Sequence, residues 1–160
     1  MLFSPPAEKA VDWLEYDLAA ISKDIEEGKP VLIKFTADWC TTCKVIDKVV
    51  YSKKEVADFL KEKGVRPYLA DTTNRDSLAT KDLGSKYKEP AIPFTMIYLA
   101  DGKEERLVGY YGKSKLYEVF GVSSDDYLLY YVLAGLVVVV VIIFLVNRKK
   151  KGAEKAGDQY

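Results

Sequence analysis

The chain has 160 residues and a mass of 18.0 kDa, which is enough for one ordinary domain. Its 24 basic and 24 acidic side chains cancel, which speaks against a nucleic-acid-binding protein, since these usually carry a basic excess. Because the chain contains no histidine, the sequence excludes Ser-His-Asp and Cys-His nucleophiles, histidine-ligated haem and HExxH zinc sites. Two cysteines are too few for a four-ligand zinc site within one chain, so we expect no metal and a chemistry of thiols, carboxylates, lysines or tyrosines.

The N-terminal part of the chain has two interpretations. Apolar residues recur there at spacings of three and four, which predicts one face of a long helix: Val11, Leu14, Leu18, Ile21 and Ile25. In the other interpretation, Asp17 caps a shorter helix and residues 12–16 form a short strand.

From residue 28 onward, short apolar strands alternate with helices. The predicted strands are 31–36, 65–70, 94–100 and 106–111. A turn at 37–44 leads into a helix that runs to about residue 50, and further helices are predicted at 52–64, 75–87 and 114–120. The third helix of the chain opens on a capping box formed by Ser52 and Glu55. A turn at Asp101-Gly102 makes the last two strands antiparallel. The order predicts an α/β fold with a mixed central sheet flanked by helices over residues 1–120, followed by a polar tether at 121–126.

Residues 127–146 are twenty consecutive uncharged residues, long enough as a helix to span the roughly 30 Å of a bilayer core. We therefore predict one C-terminal transmembrane helix in the lipid bilayer, the alternative being a buried core helix. The tail at 147–160 begins with four cations at 148–151, which favours a cytoplasmic C-terminus and a domain on the periplasmic or extracellular side. Residues 1–6 lack the features of a signal peptide. A tail-anchored protein with a cytoplasmic domain therefore remains an alternative, as does a fragment of a longer exported protein.

Cys40 and Cys43 form a CxxC motif between a predicted strand and a predicted helix. At a helix N-terminus, free backbone N–H groups and the helix dipole stabilise a thiolate, so we expect Cys40 to attack and Cys43 to resolve. Other interpretations are a structural disulfide, which stabilises little across so short a loop, a zinc half-site in a dimer, or two unrelated buried cysteines. The motif's position favours redox chemistry, with no cofactor beyond the Cys40–Cys43 disulfide.

The stretch FTADWCTTCK at 35–44 resembles the active site of the thioredoxin superfamily, and is most similar to the C-terminal periplasmic domain of DsbD-type thiol:disulfide interchange proteins. The resemblance continues through GKPV at 28–31, Tyr51-Ser52, ADTT at 70–73 and IPFT at 92–95, and covers roughly residues 10–120. It implies a thioredoxin-like fold and supporting roles for Asp38 and Trp39 beside the cysteines.

The resemblance also implies a cis peptide bond before Pro93, with the backbone of Ile92 bound to a partner chain during the mixed disulfide. The alternative is an ordinary trans loop proline. Lys34 stands where many members have a buried aspartate, and Asp47 corresponds to a second acidic residue of the DsbD-type domains. We expect Lys34 to pair with Asp47 beneath the dithiol, the alternative being that Lys34 reaches the surface and Asp47 is simply exposed.

The sequence thus predicts a membrane-anchored protein-disulfide reductase of the plasma (inner) membrane that passes electrons to protein disulfides. Its expected partners are protein thiols and disulfides, a membrane electron donor and the bilayer, without nucleic acid. Two alternatives remain: a cytoplasmic tail-anchored thioredoxin-like protein, and a non-catalytic binding module with the same fold.

Overall fold

The computed structural model of the protein describes residues 10–122 together with Gly135, Leu136 and Val139. The chain divides into two compact units, Met1–Phe120 and Gly121–Tyr160. The first unit contains five strands: β1 Leu14–Glu15, β2 Val31–Thr36, β3 Arg66–Asp71, β4 Phe94–Tyr98 and β5 Glu104–Val108. Its α-helices are α1 Leu18–Glu26, α2 Thr41–Ile46, α3 Lys54–Glu62, α4 Leu78–Ser85 and α5 Lys113–Val119.

The five strands form one mixed sheet in the order β1-β3-β2-β4-β5. Strands β1, β3 and β2 are parallel, while β4 runs antiparallel to both β2 and β5. The predicted turn at Asp101-Gly102 therefore joins antiparallel strands, and Gly102 takes the positive φ of 83° that favours glycine. The predicted α/β class and mixed sheet are confirmed.

Strand β2 lies at the centre of the sheet and is buried on both faces, so nearly all of its side chains are apolar. Leu32 packs with Ile46 and Val50 on the side of α2, whereas Ile33 and Phe35 pack with Tyr87 on the opposite side. Because side chains alternate along a strand, Lys34 faces the same side as Leu32. A lysine on this central strand is thereby directed toward the helix that carries the cysteines.

The N-terminal part follows the second of the two interpretations. The long helix from Val11 is wrong, because Asp17 accepts a hydrogen bond from the N–H of Ala20 at 2.9 Å and caps α1. The two residues of β1 pair with β3 instead. The sheet gains a short edge strand from residues whose apolar spacing also fits a helix.

The predicted capping box at Ser52 and Glu55 is also wrong. Helix α2 continues into a π-helical turn at Asp47–Tyr51, and the Ser52 hydroxyl donates back to the carbonyl of Lys48 at 2.7 Å. Lys53, with no capping side-chain bond, therefore precedes α3. Ser52 closes the preceding helix rather than opening the next one.

Within residues 10–122, 135, 136 and 139, no helix is long and apolar enough to cross a membrane. The predicted span at 127–146 lies outside the described residues apart from Gly135, Leu136 and Val139, and the basic tail at 147–160 lies outside them entirely.

Candidate functional site

Cys40 and Cys43 are joined by a disulfide at the N-terminus of α2, with an S–S distance of 2.02 Å. Cys40 is the N-cap residue, and its Sγ accepts a hydrogen bond from the N–H of Cys43 at 3.2 Å. Cys40 retains 6 % of its surface and Cys43 only 1 %. The sulfur of Cys40 thus belongs to the more accessible residue and already receives a backbone donor of the kind that stabilises a thiolate.

Ile92 and Pro93 lie beside the disulfide, and the peptide bond between them is cis. The Ile92 side chain packs against Ala37, Cys40 and Cys43. The structure therefore brings the loop before β4 into contact with the cysteines, which are fifty residues earlier in the chain.

Exposed apolar side chains lie next to this loop and next to Cys40. Trp39 is 67 % exposed, and Val108 and Tyr110 are 60 % and 61 % exposed. Between the latter two, the N–H of Gly109 donates to the carbonyl of Pro93 at 2.9 Å. Sequence reasoning missed Val108 and Tyr110, because their place beside Pro93 depends on the register of β5 against β4.

Asp38 lies in the turn before the cysteines, where its N–H donates to the Thr73 hydroxyl at 2.9 Å. The neighbouring Thr72 is buried, and its hydroxyl donates to the carbonyl of Thr36 at 2.9 Å. These two threonines connect the end of β3 to the end of β2 and to the turn that carries the cysteines. The sequence offered them only as part of a resembling stretch, without a role.

Lys34 and Asp47 form a salt bridge on the α2 side of the sheet. The Lys34 side chain is 5 % exposed, so the interpretation in which it reaches the surface is wrong, whereas the Asp47 side chain remains 41 % exposed. The Lys34 ammonium also lies 5.0 Å from the ring centroid of Trp13 and 5.2 Å from that of Tyr51. Both rings are within the range of cation–π attraction, which offsets part of the cost of burying the charge.

A chain of three buried hydroxyl groups continues from this pair into the core. The Tyr51 and Tyr111 hydroxyls lie 2.7 Å apart, and that of Tyr111 lies 2.6 Å from the hydroxyl of Thr95. Burial raises the pKa of Tyr51 well above its ordinary value and that of Tyr111 to about 12. Both phenols therefore stay protonated and neutral at physiological pH. The sequence did not reveal this network, because its members lie far apart in the chain, at the end of the π-helical turn, on β4 and in the segment after β5.

A cavity of about 600 Å³ opens beside the Lys34–Asp47 pair. Its wall includes Trp13, Tyr51 and Ala37, and Ala37 in turn packs against both cysteines. Four further charged side chains line it, namely Asp38, Lys44, Lys48 and Asp71. The site therefore combines residues that adjoin the cysteines, Trp39 and Ile92, with a buried cation, Lys34, in the wall of the neighbouring cavity.

Comparison with known proteins relates this geometry to two groups of relatives. The DsbD thiol:disulfide interchange protein of Pseudomonas sp. (strain JR1 / K1) is 37 % identical over 94 residues, which cover 56 % of this chain and 16 % of that protein. The chain thus matches about a sixth of that relative's length. An H-type thioredoxin of Oryza sativa subsp. indica is 37 % identical over 99 residues, covering 59 % of this chain and 69 % of the relative.

The fold is also similar to that of solved structures. The oxidised C-terminal domain of DsbD from Neisseria meningitidis superposes with a TM-score of 0.52 at 24 % identity, covering 68 % of this chain and 97 % of that domain. The family model described as thioredoxin-like matches residues 11–100, which include β2, the CxxC motif and cis-Pro93. The chain therefore belongs to the thioredoxin-like family, with a domain of the DsbD-like kind.

Proposed function

We propose that the protein is a membrane-anchored thiol–disulfide oxidoreductase that reduces disulfides of partner proteins. The observation that carries the proposal is the Cys40–Cys43 disulfide, placed at the start of α2 with Cys40 the more exposed cysteine. The names of the DsbD relatives, which describe thiol:disulfide interchange, support it.

In the proposed reaction, the Cys40 thiolate of the reduced protein attacks one sulfur of a partner disulfide. A mixed disulfide forms, and the other partner sulfur leaves as a thiolate. Cys43 then loses its proton and attacks the Sγ of Cys40, which releases the second partner sulfur and forms the Cys40–Cys43 disulfide. Two electrons have passed to the partner. The N–H of Cys43, which donates to the Cys40 Sγ, stabilises the attacking thiolate in the first step.

The partner is proposed to dock on the apolar surface around Cys40, formed by Trp39, Ile92, Val108 and Tyr110. Three of these side chains are more than half exposed, and Ile92 touches the cysteines. An extended partner segment beside Ile92 would bring its disulfide to Cys40, while the backbone of Ile92 holds the segment in place.

The membrane part of the proposal rests on residues 127–146, which carry no charge, and on the cations at 148–151. Cations resist translocation, so the tail is proposed to lie in the cytoplasm and the dithiol domain in the periplasmic or extracellular space. A reductase in an oxidising compartment needs electrons from the cytoplasm, so its own reductant is proposed to be a membrane protein.

Trapping of partners in intact cells tests the activity. The full chain with Cys43→Ser keeps the attacking thiol but lacks the resolving one, so it should accumulate mixed disulfides that migrate as larger species and collapse on reduction. The matched control is Cys40→Ser. We expect few adducts with this control, because Cys43 is the more buried cysteine. Trapping by Cys40→Ser alone would reverse the two roles, and trapping by neither variant would favour a binding module without catalysis.

A further inference from the structure

The central strand beneath the dithiol carries a buried cation. Only 5 % of the Lys34 side chain is exposed, whereas its partner Asp47 keeps 41 % of its side chain in contact with solvent. Burial of an ammonium group is costly, and here it is offset by one carboxylate and two aromatic rings. The two charges of this pair are thus equal in size but unequal in their exposure to water.

This inequality determines the electrostatic potential near the cysteines. Water around Asp47 screens its negative charge, while the field of Lys34 acts through the protein interior, where screening is weaker. The other charged groups around the cavity are all exposed, and they comprise two anions and two cations: Asp38, Asp71, Lys44 and Lys48. Because these four cancel in sign and are solvated, Lys34 is the least screened of the charges that line the cavity.

Two sets of contacts link the Lys34 cation to the dithiol, one through Ala37 and one through Asp47. Lys34 and Ala37 line the same cavity, and Ala37 packs against both Cys40 and Cys43. Asp47, which holds the ammonium, follows Cys43 by four residues, about one helical turn. Lys34 is therefore linked to the dithiol through Ala37 on one side and through Asp47 and α2 on the other.

We propose that Lys34 is a positioning residue whose buried charge stabilises the reduced, thiolate form of the Cys40–Cys43 couple and so makes the couple more oxidising. The inference rests on the proposed function. When two molecules of a thiol reductant reduce the disulfide, the S–S bond takes up two electrons and a reductant disulfide forms. Cys43 takes one of the two protons, the other passes to water, and Cys40 keeps a negative charge that Lys34 favours. A stabilised reduced form means a higher reduction potential.

A higher potential defines the class of partner disulfide. The protein takes electrons readily from its own reductant but can pass them on only to disulfides of still higher potential. Strained or exposed disulfides have such potentials, whereas structural disulfides of secreted proteins resist reduction. The buried cation thereby restricts the proposed reductase to labile disulfides and spares structural ones.

The test is a glutathione redox titration of the full chain in detergent, read by the mass added on thiol alkylation. Lys34→Met keeps the length of the side chain and removes its charge. We expect it to shift the equilibrium constant about tenfold toward the disulfide at neutral pH, the effect of one nearby charge, which corresponds to about 30 mV. Lys34→Arg retains the charge and should stay near the wild type.

Lys44→Met is the matched control, because it removes the same charge from an exposed lysine adjacent to Cys43. It should shift the equilibrium far less than Lys34→Met. The shift caused by Lys34→Met should also vanish at acid pH, where both thiols are protonated, which a purely structural effect of the substitution would not do. Equal shifts for the two variants, or a shift independent of pH, would overturn the inference.

Asp47→Asn provides a second variant in case Lys34→Met does not fold. It leaves the cation and removes the solvated anion, so the equilibrium should move toward the dithiol, and a move toward the disulfide would refute the role of Lys34. A wild-type protein that does not cycle with glutathione at all would instead refute the proposed function. Failure of the inference about Lys34 and failure of the proposed function therefore give different experimental results.

Discussion

Replacement of Asp24 by asparagine should destabilise the protein by an amount that depends on pH. Asp24 is a buried carboxylate on α1, and it accepts hydrogen bonds from the Tyr68 hydroxyl at 2.6 Å and from Lys29 and Arg66 at 3.0 Å each. Burial alone would raise its pKa, but these three donors outweigh burial and lower the pKa from 3.8 to about 2. Folding therefore favours the charged form of Asp24, whose hydrogen bonds from Arg66 and Tyr68 hold α1 against β3.

The size of the effect follows from the pKa difference between the unfolded and the folded state. Because the folded value is the lower one, the contribution is complete above pH 3.8 and is lost as the pH falls toward about 2. At 1.36 kcal/mol per pKa unit, a charged Asp24 adds about 2 kcal/mol to the free energy of unfolding at pH 7 and about 1 kcal/mol at pH 3.

Urea unfolding of the full chain in detergent at pH 7 and pH 3 measures this difference. The difference in free energy of unfolding between wild type and Asp24→Asn should be larger at pH 7 than at pH 3 by about 1 kcal/mol. Glu26→Gln, an exposed carboxylate on the same helix, is the matched control and should change the free energy of unfolding by less than about 0.5 kcal/mol at either pH. If the difference in free energy of unfolding were the same at both pH values, the charge of Asp24 would not be the source of the stability.

Two further predictions concern the buried hydroxyls and the membrane topology. Tyr111→Phe leaves the hydroxyls of Tyr51 and Thr95 buried without their shared partner, so it should lower the free energy of unfolding in urea by about 1–3 kcal/mol. The control Tyr110→Phe, at the exposed neighbouring residue, should leave the free energy of unfolding almost unchanged. Equal decreases for the two variants would contradict the role of the hydroxyl network. Protease added to intact cells whose outer barrier has been opened should digest the dithiol domain and spare an epitope on the tail at 147–160. A protected domain with a digested tail would support the cytoplasmic, tail-anchored alternative.

The elements that the sequence predicts best are those whose pattern lies within a few consecutive residues. Strand β2 is a continuous apolar run broken only by Lys34, and it occupies the predicted residues. The turn at Asp101-Gly102 likewise joins two antiparallel strands. Boundaries set by distant partners are less predictable: β5 begins at Glu104 rather than at Arg106, since its ends are fixed by pairing with β4. A local boundary was also missed: helix α4 begins at Leu78, after a cap by Ser77, rather than at Arg75.

Residues whose importance comes from long-range contacts were not visible in the sequence. Asp24 looks like an ordinary polar residue of an amphipathic helix, yet two of its three donors lie 42 and 44 residues away. Tyr111 meets Tyr51 across 60 residues, and only the folded sheet brings them together. By contrast, the expected pair of Lys34 and Asp47 is present, because one strand and the helix that follows it supply both charges.

Two groups of residues near the disulfide are proposed to affect the chemistry in different ways. Trp39 and Tyr110 are exposed and uncharged, so substitutions in this proposed docking surface should alter the rate and choice of partner without changing the charge near the sulfurs. The Lys34 side chain is only 5 % exposed, so its proposed effect is on the equilibrium between dithiol and disulfide rather than on docking. If both proposals hold, partner choice and reduction potential can vary independently within this fold, because exposed residues would control the first and a buried residue the second.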